Sequence, residues 1–175
     1  HAIHGFTESL RSELLHDQSH VHVTEVEMPA LNTPQFDWSR ARMPHAPQPV
    51  PPIFQPEVAA EAILFAAEHR RREVLVGLPV MKAVLGEKVA PRYVDRYLSR
   101  HGFDDQQTSE PIEADRRDNL YQPLPGDAGA HGRFDDRARS FSLGFWASKH
   151  RGALLGAAGA LALGLVSMRL ATMAA

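Results

Sequence analysis

Apolar side chains recur at helical spacing over the first fifteen residues of the chain. Ile3, Phe6, Leu10 and Leu14 lie along one stripe of a helical wheel, whereas most of the charged and polar residues between them lie elsewhere. A stripe of this kind is buried against a neighbouring layer while the opposite face meets water. Residues 2–15 are therefore predicted to form an amphipathic helix.

A run rich in β-branched residues follows a short polar turn. Within residues 21–28, Val21 and Val23 share one parity, and Val26 and Met28 share the other. Apolar groups on both faces are typical of a strand that is covered on both sides. This run predicts a buried strand of a parallel sheet.

A second helix and a second strand complete an alternating pattern. The helix is predicted from Pro56 to about Arg72, with proline at its first position and Glu57 and Glu61 near its positive end. Residues 73–77, EVLVG, follow as a short strand. Because the two strands lie too far apart for a hairpin, the order predicts a parallel sheet with crossover helices.

Prolines crowd residues 29–56, between the first strand and the second helix. Each proline removes a backbone donor and fixes its own φ, so regular structure is not expected there. Phe36 and Trp38 are among the apolar residues interleaved with the prolines, and a loop with apolar anchors is typical of a lid or a binding loop. These two aromatic side chains either contact an apolar ligand or attach the loop to the core.

Two further helices are predicted at residues 80–89 and 91–100, after which the periodicity ends. From residue 103 to about residue 140 no helical or strand period is found, and residues 104–118 are rich in acids. Such composition is typical of chains that cannot bury enough apolar surface to fold. Residues 104–140 are predicted to be a disordered linker.

The carboxyl-terminal segment is apolar all round. Residues 152–168 carry no charged side chain, and as a helix they span about 26 Å at ~1.5 Å per residue. Aromatic residues and cations precede this run, at residues 141–151. The pattern predicts a single transmembrane helix that keeps the preceding chain in the cytoplasm, the alternative being an alanine-rich helix packed in a protein core or an oligomer.

Composition excludes several classes of function. The chain has 175 residues, of which 43% are hydrophobic, and a formal charge of −2, which speaks against full disorder and against a nucleic-acid partner. The absence of cysteine excludes disulfides, thiolate metal sites and cysteine nucleophiles. Histidines cluster at two places, but no complete ligand set accompanies them and no metal site is predicted; they are His1, His4, His16, His20 and His22.

The string HAIHGFTESLRSELL at residues 1–15 resembles the helix that follows the catalytic Tyr-x-x-x-Lys motif of short-chain dehydrogenases/reductases. The positions that match in register are Ala2, Gly5, Phe6, Leu10, Arg11, Glu13 and Leu14. By this register the catalytic lysine of the family would stand immediately before His1. The chain is therefore expected to be a fragment whose residues 1–78 are the carboxyl-terminal part of such a domain.

The family carries Pro-Gly after the next strand and a threonine a few residues later, and MPALNT occupies that place here. With the threonine placed at Thr33, Met28 and Pro29 stand where Pro-Gly is expected. With the proline placed at Pro29 instead, Ala30 stands for the glycine and one residue too few precedes Thr33. The resemblance implies that the turn at Pro29 positions the backbone N–H of Leu31 against a nicotinamide carboxamide. It also implies that the Thr33 hydroxyl lies near the pyrophosphate and that Phe36 and Trp38 belong to the substrate loop.

The resemblance implies an oxidoreductase that uses NAD or NADP to move hydride to or from a small carbonyl or alcohol substrate. The catalytic serine, tyrosine and lysine of the family are not in this chain, so the chain alone is expected to be inactive. A non-catalytic, membrane-tethered scaffold or binding protein of the same fold is the alternative, and homo-oligomers are left open. The expected fold is α/β: the carboxyl-terminal part of a Rossmann-like doubly wound parallel sheet, a helical extension at residues 79–103, the linker at 104–140 and the membrane segment at 141–175.

Overall fold

A computed structural model of the protein describes residues 2–113 and 115–173; in the last helix it describes the side chains as far as Leu165, together with Arg169. The helices are α1 (Ala2–His16), α2 (Gln35–Trp38), α3 (Pro56–Glu68), α4 (Leu78–Val89), α5 (Pro91–His101), a short 3-10 helix (Asp104–Gln106), α6 (Leu143–Lys149) and α7 (Arg151–Met173). The strands are β1 (Glu25–Glu27), β2 (His45–Pro47), β3 (Glu73–Leu75) and β4 (Gln107–Pro111).

Strands β1 and β3 pair in parallel, as the alternation of strands and helices predicts. Val26 lies opposite Val74, with Glu25 and Glu27 opposite Glu73 and Leu75. The crossover between them contains α3, which begins at Pro56 as expected but ends at Glu68, before the predicted arginine-rich end. There the His69 N–H donates to the carbonyl of Phe65, and its ring stacks on the Phe65 ring.

The core lies between this strand pair and helices α3 and α6. Val74 and Val76 are almost completely buried, and Val76 continues the pairing by donating its N–H to the Glu27 carbonyl. The remaining buried members of this cluster come mainly from one face of α3 and from α6: Phe54, Val58, Ala62, Phe65, Ala66 and Phe145. The face of α3 that carries Val58, Ala62, Phe65 and Ala66 is therefore its core-facing side.

The expected Rossmann-like doubly wound sheet is wrong for the residues that the structure describes. They contain two sheets of two strands each, β1 with β3 in parallel and β2 with β4 antiparallel. Strand β1 is limited to three residues, so the predicted strand at 21–28 is only partly formed. Strand β2 forms inside the proline-rich loop, where Pro47 is tolerated because this two-stranded sheet consists of edge strands.

The disordered linker predicted at residues 104–140 is also wrong. This stretch contains the 3-10 helix and β4, and Phe134 is buried against the edge of the Phe36 ring. Its acidic residues find cationic partners, among them Asp118, whose carboxylate accepts a hydrogen bond from Arg40 at 2.8 Å. Long-range contacts of this kind order a stretch that has no period of its own.

The prediction of a membrane anchor is overturned as well. Within residues 2–113 and 115–173, no helix is both long enough and apolar enough to cross a bilayer. The uncharged run on which the prediction rests spans about 26 Å as a helix, less than the ~30 Å of a hydrocarbon core. The membrane partner and the membrane-anchored localisation were expected from that run alone, so both predictions are wrong for the described residues.

Candidate functional site

Two turns meet at the carboxyl edge of the parallel strand pair. The chain leaves β1 through Met28 and Pro29, and it leaves β3 through Val76 and Gly77 into α4. Gly77 has a φ of 106°, a value that favours glycine, and this lets the chain turn directly into the helix. Ligands of open α/β sheets bind at the carboxyl ends of parallel strands, so this edge is the candidate site.

The first of these turns holds Leu31 in an extended pairing with Phe54. The Phe54 N–H donates to the Ala30 carbonyl and the Asn32 N–H donates to the Phe54 carbonyl, both at 2.8 Å. In a parallel pairing of this kind the N–H of the middle residue points away from the partner. The Leu31 N–H accordingly has no hydrogen-bond acceptor within residues 2–113 and 115–173, which suits the carboxamide contact implied for it.

Asn32 anchors this turn, although the sequence reasoning did not select it. Its side chain is fully buried, and its Nδ2 donates to Gln55 Oε1 at 3.1 Å and to Asp135 Oδ1 at 2.8 Å. Its Oδ1 accepts the N–H of Phe134 at 3.0 Å. The sequence does place an amide side chain between Leu31 and Thr33, the two predicted cofactor contacts. A buried amide at such a position can fix a turn by hydrogen bonding to the backbone, and this could have identified Asn32.

Residues 131–135 pack directly on the same turn. The Gly132 N–H donates to the Asn32 carbonyl at 3.0 Å. A Cβ at Gly132 would lie 2.6 Å from the Thr33 carbonyl oxygen and 2.8 Å from Asn32 Oδ1, so only glycine fits there without a shift. The turn that carries Leu31 and Thr33 is thus held between Phe54 on one side and residues 131–135 on the other.

His131 joins that segment to the start of α3. Its Nε2 lies 2.7 Å from Glu57 Oε1 and its Nδ1 lies 2.8 Å from Asp135 Oδ1. The hydrogen bonds with Glu57 and then with Asp135 raise the pKa of His131. The same bond from His131 lowers the pKa of Glu57, while bonds from Gln55 and then His131 lower the pKa of Asp135.

The two predicted substrate-loop aromatics contact the segment that follows β4. Phe36 packs edge-on against Phe134, and the carbonyl of Trp38 accepts the N–H of Asn119 at 3.0 Å. The structure therefore places Leu31 and Thr33 in one turn, directly after the half-buried Pro29. Phe36 and Trp38 each contact a residue of the segment after β4. Their roles toward a ligand stay predictions.

A cleft of about 490 Å³ opens beside Gly77. Phe54 belongs to both places, since its backbone pairs with Leu31 and its ring forms part of the cleft wall. The volume lies in the ~300–1,000 Å³ range of small-molecule sites. The other residues that line it are Pro52, Leu78, Pro79, Lys82, Arg139, Phe141, Ser142, Leu143 and Gly144.

The histidine clusters do not assemble a metal centre in the described part of the chain. No group of three or more His, Asp or Glu residues there has a geometry that could hold a metal ion. His4 instead lies 3.0 Å from Glu25, and His22 Nε2 lies 2.9 Å from the Arg71 carbonyl. The predicted pair of His1 and His4 falls partly outside the described residues, because His1 does.

Comparisons with known proteins give one informative relationship. No family model matches the chain, and no solved structure matches it. The chain is 32% identical over 121 residues to the uncharacterized oxidoreductase YxnA of Bacillus subtilis (strain 168), which covers 69% of the chain and 34% of that protein. The chain thus spans about a third of this relative, and the relative is named as an oxidoreductase.

Proposed function

We propose that the chain forms the nicotinamide-side turn and part of the substrate region of an NAD(P)-dependent short-chain dehydrogenase/reductase. The substrate would be a small carbonyl compound or the corresponding alcohol. An oxidoreductase role agrees with the name of the Bacillus subtilis relative, while the cofactor and the family are the proposal.

One observation carries the proposal. The Leu31 N–H lacks an acceptor within the described residues and sits at the carboxyl edge of two parallel strands, on a turn fixed by the buried Asn32. A preorganised donor at this edge needs no rearrangement to meet a ligand oxygen, so its binding energy is not spent on ordering the turn. A carboxamide oxygen is an acceptor of the kind it would bind.

The proposed roles of the chain's own residues follow from this arrangement. The Leu31 N–H would orient the carboxamide, the Thr33 hydroxyl would bond to a pyrophosphate oxygen, and Pro29 would set the entry to the turn. Phe36 and Trp38 are proposed as apolar walls of the substrate loop. The bound cofactor would supply a hydride for the carbonyl carbon, and the general acid that gives the oxygen its proton would come from outside this chain.

The test is an activity assay on the protein produced from the complete open reading frame that encodes this chain. Oxidation of NADH and of NADPH is followed with a panel of small aldehydes and ketones, and the alcohol products are measured by mass spectrometry. Product formed in step with cofactor oxidation supports the proposal. Cofactor binding without product, or no binding at all, would contradict it and would favour a binding protein that lacks catalysis.

A further inference from the structure

The cleft beside Gly77 combines apolar walls with two cations that have no ion-pair partner among the described residues. Its apolar surface comes from Pro52, Phe54, Leu78, Pro79, Phe141 and Leu143. Its charged groups are the ammonium of Lys82 on α4 and the guanidinium of Arg139, and no aspartate or glutamate of residues 2–113 and 115–173 lines it. A pocket of this composition has a positive electrostatic potential and an apolar lining.

Neither cation is neutralised from within the described chain. The ion pairs of residues 2–113 and 115–173 include neither Lys82 nor Arg139, whereas Arg40, Arg72, Arg133 and Lys149 each have an acidic partner. The backbone of Arg139 is fixed, because its N–H donates to the Ile53 carbonyl at 3.0 Å and its own carbonyl accepts the Gln55 N–H at 2.9 Å. Its side chain is thus presented at the cleft from an anchored position.

The first turn of α4 adds to the same potential. Leu78 and Pro79 are the first residues of this twelve-residue helix and both line the cleft, so the positive end of the helix dipole faces it. On its own a helix end would define no site. Here it lies beside two cations that no acid in the described part of the chain neutralises, and beside a cavity large enough for a small ligand.

We propose that this cleft binds a monomeric carboxylate with an apolar body, such as a medium-chain fatty acid or an arylalkyl carboxylate. The carboxylate would lie between Lys82 and Arg139, and the hydrocarbon part would lie against Phe54, Phe141 and Leu143. The apolar walls supply the affinity by burying hydrocarbon surface, and the cations select an anion over a neutral compound of the same shape. The proposal does not depend on whether the protein binds a nicotinamide cofactor.

The probe is decanoate, titrated calorimetrically into the protein below its micelle concentration. Decanol, decyltrimethylammonium and inorganic phosphate are the comparison ligands. We expect decanoate to bind at least about tenfold more tightly than any of the three, with an affinity that falls as salt is raised. Equal binding of decanol, or equal binding of phosphate, would overturn the proposal, as would the absence of decanoate binding.

Two variants locate the site. The double variant Lys82→Gln/Arg139→Gln should bind decanoate about tenfold more weakly, since each exposed ion pair adds a modest amount. Its matched control is Arg70→Gln/Lys88→Gln, which removes the same charge from exposed positions that do not line the cleft. An equal loss in both double variants would assign the effect to net charge and refute the site.

The apolar wall is tested separately with Phe141→Ser. Phe141 is 60% exposed, so this change should leave the fold intact while it removes hydrocarbon contact from the cleft. Decanoate binding should weaken about tenfold. An unchanged affinity in Phe141→Ser would contradict the position of the hydrocarbon part.

Discussion

The buried side chain of Asn32 donates a hydrogen bond to the carboxylate of Asp135 at 2.8 Å, across 103 positions of the chain. The same Asn32 side chain also accepts the N–H of Phe134. These bonds fix the turn after β1 to a segment that the local sequence predicts to be disordered. The geometry of the candidate site therefore depends on a long-range polar contact.

Replacing Asn32 should destabilise the fold. Asn32→Ala leaves the buried Phe134 N–H without its acceptor and removes two donors, so the free energy of unfolding should fall by about 2–4 kcal/mol. Urea denaturation followed by circular dichroism measures the loss. Asn119→Ala removes the same amide from an exposed position and should change stability by less than about 0.5 kcal/mol. Similar losses in both variants would mean that the Asn32 bonds do not hold the turn.

The parallel strand pair should depend on its buried valines. Val76→Ala removes two methyl groups from a fully buried position and should lower the free energy of unfolding by about 2 kcal/mol. Val21→Ala makes the same chemical change at a side chain that is 64% exposed, and it should have little effect. If the two variants unfold at the same urea concentration, Val76 does not lie in the core described here.

His131 should stabilise the protein within a limited pH range. Its raised pKa means that its contribution is complete below the ordinary histidine pKa of 6.5 and is lost as the pH rises through its folded value. The lowered pKa values of Glu57 and Asp135 mean that their contributions are complete above their ordinary values of 4.5 and 3.8 and are lost in stronger acid. The bridge should therefore stabilise most between about pH 4.5 and 6.5.

The measurement compares wild type with His131→Gln in urea at pH 5.5 and at pH 8.5. The stability difference between them should be larger at pH 5.5. His20→Gln makes the same substitution at an exposed position and serves as the matched control. A His131→Gln effect of the same size at both pH values would show that the charged bridge is not formed in solution.

Glu27 should weaken the strand pair at neutral pH. Burial and then the hydrogen bond with Glu73 raise the pKa of Glu27, so the folded state favours its protonated form. Glu27→Gln should therefore raise the free energy of unfolding at pH 7, and this gain should vanish as the pH falls below about 4.5. Glu13→Gln, at an exposed position of α1, is the matched control. A stabilisation by Glu27→Gln that persists unchanged at pH 3.5 would contradict this assignment.

Local patterns in the sequence predict those elements whose partners lie nearby in the chain. The helical spacing of Phe6 and Leu10 predicts α1, and the proline at Pro56 marks the start of α3. The burial expected of the α1 stripe is wrong at its first two positions, because Ile3 is 71% exposed and Phe6 is 65% exposed. The alternation of strand and helix predicts the parallel pairing of Val26 with Val74, because a chain that crosses over through a helix returns in the same direction. For these elements the period and the capping residues carry enough information.

Other features depend on contacts that no local period encodes. Phe134 lies in a stretch without periodicity, yet it is buried because Phe36 and the Asn32 side chain meet it. Strands β2 and β4 pair across about sixty residues. The sequence predicts no regular structure for either segment, since β2 lies in the proline-rich loop and β4 lies in the predicted linker. Within the candidate site, the family resemblance points to Leu31 and Thr33, whereas Asn32 and the cleft around Phe54 emerge only from the fold.

We propose that the turn carrying Leu31 and Thr33 binds a nicotinamide cofactor. The most direct measurement is a fluorescence titration of NADH and NADPH into the complete protein and into its Thr33→Val variant, with Thr108→Val as control. We predict that wild type and Thr108→Val bind one of the two cofactors with equal affinity, and that Thr33→Val, which loses one hydrogen bond, binds it about fivefold to tenfold more weakly. If the wild-type protein binds neither cofactor, or if Thr33→Val binds as tightly as wild type, the turn does not bind a nicotinamide cofactor in this way.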